Sequence, residues 1–237
     1  MSVQPTIYLP HGAGPCFFME WRMGPPDTFK RMEAWLRGLL TSLPERPSAL
    51  LVVSAHWEEA VPTVLTAERP PLLYDYSGFP PHTYALEWPA PGAPQLAAQV
   101  RQALELAGIP SAEDPMRGFD HGTFIPLLLS LPKADIPTIQ LSLKKGLSAA
   151  EHLRIGAALE PLRHSGVLIV GSGMSYHNMR GFGRPESAAA SESFDAWLAE
   201  TCALPKDLRA GRLTEWAQAP SGRACHPREE HLLPLMV

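Results

Sequence analysis

Ala49-Leu50-Leu51-Val52-Val53-Ser54-Ala55-His56 begins as an unbroken apolar run and closes on a histidine. A run this short, rich in β-branched residues, reads as a strand over Ala49 to Ser54 that is buried on both faces. Strands of that kind belong to largely parallel sheets covered by helices. The flanking sequence repeats the theme: Thr6 to Leu9, Ile136 to Leu141 and Val167 to Val170 read as further strands, with segments of helical period between them. Thr28 to Leu43 reads as an amphipathic helix whose apolar face is Phe29, Met32, Leu36, Leu39, Leu40 and Leu43. A second helix runs from about Ala93 to Leu106 and stops at Gly108, and a third follows Gly122. Ser148 and Glu151 make a capping box for a fourth that reaches about Leu162. Pro227, followed by Glu229 and Glu230 where a helix dipole favours acids, predicts a helix in the tail that would contain His231. The expectation is one α/β domain over residues 1–237, a three-layer α/β/α arrangement around a mostly parallel or mixed sheet.

Bulk properties agree with an ordinary globular chain. The 237 residues are 45% hydrophobic and 19% charged, enough apolar material for a full core. The 26 prolines are scattered, so they punctuate loops without marking a linker. A formal charge of -4, a pI near 6.1 and no Lys/Arg stripe give no reason to expect nucleic acid or an anionic membrane, and they favour a small-molecule partner. Cys16, Cys202 and Cys225 are far apart and lack CxxC spacing, which excludes a disulfide framework or zinc knuckle and suits a reducing cytoplasm. Cys16 and Cys225 are read as buried inert thiols. No secretory leader pattern or membrane-length apolar run is visible.

The histidines carry the functional signal. His11 follows the first strand, His56 the second and His177 the fourth, so each is delivered at a carboxyl end, where open α/β sheets bind ligands. Convergent imidazoles suit zinc or iron, and an incomplete protein shell leaves positions for other ligands. His121, in Phe119-Asp120-His121-Gly122, and His231, in Pro227-Arg228-Glu229-Glu230-His231, have similarly specific contexts. His226 and His231 are five apart and would sit on different helix faces, so they are not joint ligands. His82, His152 and His164 are read as surface residues. Asp120 either orients His121 or caps the helix after it. The irregular stretch Val61 to Pro91 carries Tyr74, Tyr76, Phe79, Tyr84 and Trp88, and either covers a pocket or packs on the core. The fourth strand ends in Gly171-Ser172-Gly173, a run that could simply be a tight strand-to-helix turn. It matches neither GxGxxG nor GxSxG nor a P-loop, so no dinucleotide, serine-hydrolase or phosphate-loop site is indicated.

Taken in order, Leu9-Pro10-His11-Gly12, Ser54-Ala55-His56-Trp57, Gly78-Phe79-Pro80, Asp120-His121-Gly122, Gly171-Ser172-Gly173 with His177-Asn178, and Glu230-His231 before Pro234-Leu235 resemble the class III extradiol dioxygenases of the DODA type over nearly the whole chain. The resemblance implies that His11, His56 and His231 bind a metal. It implies for His177 either a further ligand position or an acid/base role, and it places His121 in the same pocket. Relatives continue past the Pro-Leu stretch with a small-residue tail where this chain stops at Val237, so a completing tail beyond it is a further expectation.

Triplet dioxygen reacts poorly with a singlet catechol unless a redox-active metal binds both, and the resemblance implies iron(II) for that task. The activity implied is opening of a catechol-type, DOPA-like ring with both atoms of O2 incorporated, with a possible homo-oligomer as the working form. A base must take a catechol proton and an acid must assist O–O cleavage. Histidine suits both because its ordinary pKa lies near working pH, and His121 and His177 are assigned these roles jointly. Zinc is expected as an ion that can occupy the purified protein. The alternatives are a zinc-dependent hydrolase, which no HExxH motif supports, and a metal-binding relative without chemistry.

Overall fold

A computed structural model describes residues 3–237. Six strands form one sheet: β1 (Thr6–Pro10), β2 (Ala49–Glu59), β3 (Thr63–Leu65), β4 (Ala112–Asp114), β5 (Thr138–Lys144) and β6 (Val167–Gly173). Their order across the sheet is β1-β6-β2-β5-β3-β4, and every pairing is parallel except that of β3 with β5. The helices are α1 (Lys30–Gly38), α2 (Pro94–Leu106), α3 (His121–Ser130), α4 (Ala149–Leu159), α5 (Glu186–Cys202), α6 (Lys206–Thr214) and α7 (Gly222–Cys225). Among the described residues no helix is long and apolar enough to cross a membrane.

The apolar run at 49–53 explains the layering, because successive side chains of a strand point to opposite faces. Leu50 and Val52, with Leu168 and Val170 of β6, pack on Leu36 of α1 and Phe124, Ile125 and Leu127 of α3. Leu51 and Val53, with Ile139 and Leu141 of β5, pack on Val100 and Leu104 of α2, Ile155 and Leu159 of α4 and Phe194 of α5. Each fully buried aliphatic chain contributes about 1.5–3 kcal/mol to this two-sided core. Helices on both faces of a mostly parallel sheet make the expected α/β/α arrangement.

Several boundaries differ from expectation for local reasons. The first helix is α1 plus a 3-10 turn at Leu40–Ser42, because Gly38 is a poor helix former and Pro44 holds Leu43 in extended backbone (φ -76°, ψ 145°). The fourth helix likewise passes into a 3-10 segment at Glu160–Ser165. β5 starts after Pro137, which has no N–H to give to a ladder. The stretch Val61 to Pro91 is not wholly irregular, since it holds β3 and a 3-10 segment at Pro81–Ala85.

Two differences bear directly on the site. Gly171-Ser172-Gly173 is the end of β6 and not a turn. A Cβ on Gly171 would collide with the Pro234 carbonyl oxygen and one on Gly173 with that of His231, so the glycines let the tail backbone lie directly on the strand. The predicted tail helix is absent: His231 lies in a turn, between α7 and a 3-10 turn at Leu233–Met236. The His231 carbonyl accepts from Met174 N–H (3.0 Å) and the Tyr8 hydroxyl (2.6 Å), and Pro234 lacks an N–H, so the backbone bonds of a helix are unavailable there.

His152 is fully buried and not a surface residue. It lies with Ile155 and Leu159 on the core face of α4, at spacings of three and seven. Its Nε2 accepts from Lys144 N–H (3.1 Å) and its Nδ1 bonds the Ser148 carbonyl (2.8 Å), so it braces the end of β5 against the start of α4. The Ser148 hydroxyl accepts from Glu151 N–H, as the capping pattern predicts. His82 and His164 are exposed as expected.

Candidate metal centre

His11 stands one residue beyond β1 and is buried. Its Nδ1 is 3.0 Å from Ser172 Oγ at the end of β6. The Ser172 hydroxyl donates its only proton to the Gly122 carbonyl, which can only accept. Toward His11 the hydroxyl is therefore an acceptor, Nδ1 carries the ring proton, and Nε2 is left with a lone pair. That Nε2 lies 3.0 Å from Nε2 of His56.

His56 lies inside β2, not beyond it. The pairing of β2 with β6 ends at Ser54, and its register with β5 shifts between Val53 and Glu58, so His56 sits where the ladder opens. Bulges of this sort re-aim a side chain at a sheet's end. His231 completes the group from the tail turn, with ring centroids 5.1 Å from His11 and 4.8 Å from His56. Its Nδ1 gives its proton to Glu230 Oε1 at 3.0 Å, again leaving Nε2 free. The ligand atoms of His11, His56 and His231 lie within 4.8 Å of one another and could hold a metal ion.

The electrostatics suit a cation. Burial, and then mutual repulsion with the neighbouring imidazoles, holds His11 and His56 well below the ordinary histidine pKa. Burial lowers His231 to about 4 against the opposing pull of Glu230. All three are neutral at pH 7, the form in which imidazole binds metals. Two imidazole nitrogens face to face at 3.0 Å share either a proton or a metal ion, so the donor set fits an ion with several positions left for other ligands.

Two further histidines flank this group. His177, in the loop after β6, stacks on His231 (centroids 3.3 Å apart) and shares Glu230 Oε1 through its Nδ1 at 3.0 Å. It groups with Glu230 and His231, and this cluster overlaps the grouping of His11 and His56 at the shared His231. Burial alone would raise the Glu230 carboxyl, but hydrogen bonds from His177 and His231 outweigh it and hold the group well below the carboxylate range. His121 opens α3, with its ring centroid 3.9 Å from that of His56 and 5.5 Å from that of His11. Its Nδ1 is 2.8 Å from Asp75 Oδ1.

Asp120 does not orient His121. It caps α3 by accepting from Thr123 N–H, and it also accepts from Ser54, Arg117 and Gln140. The partner of His121 is Asp75, in the aromatic stretch, which sequence reasoning passed over because nothing periodic marks it. Glu230 was visible beside His231, yet its role there is to hold two imidazoles and not to complement a helix dipole. His226 is buried with Nε2 bonded to the Ser175 carbonyl at 3.0 Å, apart from the ligand grouping. Burial pushes the Cys16 thiol up to about 12 and Cys225 to about 11, and both remain inert thiols.

The family model for the catalytic LigB subunit of aromatic ring-opening dioxygenase matches residues 5–237. The chain is 40% identical over 245 residues to a 4,5-DOPA dioxygenase extradiol of Portulaca grandiflora, covering 100% of this chain and 86% of that one. It is 35% identical over 239 residues to the protein of that name from Beta vulgaris (100% and 86% covered), and 34% over 236 residues to that of Escherichia coli K12 (98% and 83%). A crystal structure of an uncharacterised protein from Escherichia coli K12 superposes with a TM-score of 0.73 at 31% identity, covering 98% of this chain and 86% of that one. A match over nearly the full length, on the segments that bring these histidines together, leads to one conclusion: the chain belongs to the LigB family and is an extradiol aromatic ring-opening dioxygenase.

Proposed function

We propose that the protein is an iron(II)-dependent, non-haem enzyme that opens a catechol-type, DOPA-like ring and incorporates both atoms of O2. In this reading residues 1–237 are one catalytic domain in which His11, His56 and His231 hold the ion. The observation that carries it is the 3.0 Å approach of His11 Nε2, a lone-pair nitrogen, to His56 Nε2 inside a three-histidine group. When bound, iron(II) supplies a redox-active centre at which a catecholate and O2 meet. The names of the relatives, 4,5-DOPA dioxygenase extradiol, support a DOPA-like substrate.

His121 and His177 divide the proton work. Each commits Nδ1 to a carboxylate, Asp75 or Glu230, and offers Nε2 as the atom that exchanges a proton with the substrate. Stacking on His231 and sharing its carboxylate keep His177 at the edge of the ligand group, which favours an acid/base role over a fourth ligand. The half-buried side chains of Tyr76 and Phe79 limit water on the same side as His121, where the Tyr76 ring centroid lies 5.9 Å from the imidazole. Three unpaired cysteines fit a reducing compartment such as the cytoplasm.

The test is anaerobic reconstitution of the metal-free protein with iron(II) or zinc, followed by oxygen uptake and visible absorbance with a panel of catechols that includes DOPA. Oxygen consumption with a yellow ring-opened product only in the iron sample is the expected result. Silence across the panel with iron incorporation verified would overturn it. Zinc competes well for such nitrogens, so activity, not metal content, identifies the working ion.

A further inference from the structure

The aromatic stretch between β3 and α2 contributes one charged atom to the histidine cluster. Asp75 Oδ1 accepts two hydrogen bonds from the same residue, from the His121 backbone N–H at 2.9 Å and from its Nδ1 at 2.8 Å. The bidentate contact ties the carboxylate to the first residue of α3, where the backbone N–H has no partner within the helix. Burial alone would raise the Asp75 carboxyl, but the bonds from His121 outweigh it and keep it below the ordinary range, so the carboxylate is ionised and can only accept. The ring proton of a neutral His121 must then sit on Nδ1.

The loop that carries Asp75 is fixed on both sides of it. Tyr74 donates its hydroxyl to the Leu86 carbonyl and Tyr76 donates to that of Thr83, each at 2.6 Å. Leu73 N–H bonds the Phe119 carbonyl at 2.8 Å, next to the start of α3. His82 Nε2 bonds the Phe18 carbonyl at 2.9 Å, which joins the loop to the segment following His11. The aromatics of this stretch thus clamp the carboxylate between them.

We propose that Asp75 is the positioning residue for His121, holding its imidazole as the Nδ1–H tautomer so that Nε2 is its sole proton-accepting atom beside the three-histidine group. The inference rests on the reading that His121 exchanges a proton with the substrate, but its structural half stands apart from turnover. It also separates the two flanking histidines: His121 has a carboxylate to itself, whereas His177 shares one with a ligand.

The experiment compares Asp75→Ala and Asp75→Asn with the parent. Long-range proton–nitrogen correlation spectra of the zinc-loaded protein read the tautomer of His121, assigned by its loss in His121→Gln. Oxygen uptake by the iron-loaded protein reads kcat and KM separately. The parent and Asp75→Asn are expected to show the Nδ1–H form, because the His121 backbone N–H demands an acceptor and so fixes the amide oxygen of asparagine in the carboxylate's place. Asp75→Ala is expected to lose that form and to drop kcat by roughly 100-fold with KM within about threefold, while Asp75→Asn recovers most of kcat. An unchanged tautomer in a folded Asp75→Ala protein, or a kcat in that variant within about threefold of the parent, would overturn the proposal. If the parent opens no catechol, the proposed substrate class fails, and the spectra still decide the tautomer.

Discussion

Two buried histidines, His11 at the end of β1 and His152 in α4, look alike by every bulk measure. Both are essentially inaccessible to solvent, and burial lowers the pKa of both. The difference lies in what remains after the hydrogen bonds are counted. Both nitrogens of His152 are satisfied by backbone, Lys144 N–H on one side and the Ser148 carbonyl on the other. His11 spends Nδ1 on Ser172 and faces Nε2 toward another imidazole. Burial and a displaced pKa mark a histidine that is neutral, and only an uncommitted lone pair marks one that can hold an ion.

The largest effects should come from the lone-pair side. His11→Ala is expected to abolish stoichiometric metal binding and oxygen uptake while the chain stays folded, as read by elemental content and circular dichroism. Retained binding would mean that His11 is only a core histidine, like His152. Glu230→Gln should weaken metal binding by roughly 10–100-fold in chelator competition, because the acidic partner of His231 raises its basicity and fixes its ring. Equal affinity would confine Glu230 to packing.

His152→Ala should do the opposite. Losing two buried hydrogen bonds and leaving a cavity costs about 2–4 kcal/mol in urea unfolding, with metal affinity per folded molecule unchanged. A loss of affinity without a loss of stability would collapse the distinction. His226 extends the comparison to pH. Burial lowers its pKa to about 4, below the ordinary value of 6.5, so between those values the unfolded chain binds the proton more readily. The stability it contributes is complete above about pH 6.5 and is lost as pH falls toward 4, by up to about 3 kcal/mol. His226→Gln should flatten that decline in unfolding midpoints measured from pH 7 to 4.5. Smallest is Ser148→Ala, which removes the cap of α4 and should cost about 1 kcal/mol without touching metal affinity.

Much of the fold was legible because burial on two faces leaves a plain trace: the run at 49–53 and its counterpart at 167–170 foretold two central strands, although β2 runs on through His56 to Glu59. Three-residue strands such as β3 and β4 leave no such trace, since their pairing depends on partners far along the chain. The tail escaped a local reading because the His231 carbonyl is claimed by Tyr8 and Met174, which no nearby residue announces. Asp75 escaped for the same reason, with its partner 46 positions away. His152 was different: its spacing with Ile155 and Leu159 carried the core signal, and its polar identity masked it.

The direct seating of the tail backbone on Gly171 and Gly173 has a consequence for how the chain is held shut. His11 belongs to the first strand's exit and His231 to a segment that follows all six strands along the chain, so an ion shared by the two would cross-link the beginning of the fold to its final segment. Such a clasp stabilises only the closed form, by an amount that grows with the logarithm of free ion over its dissociation constant. Emptying the centre would therefore remove the link between the tail and the first strand, and supply of the ion would set how much stability that link adds.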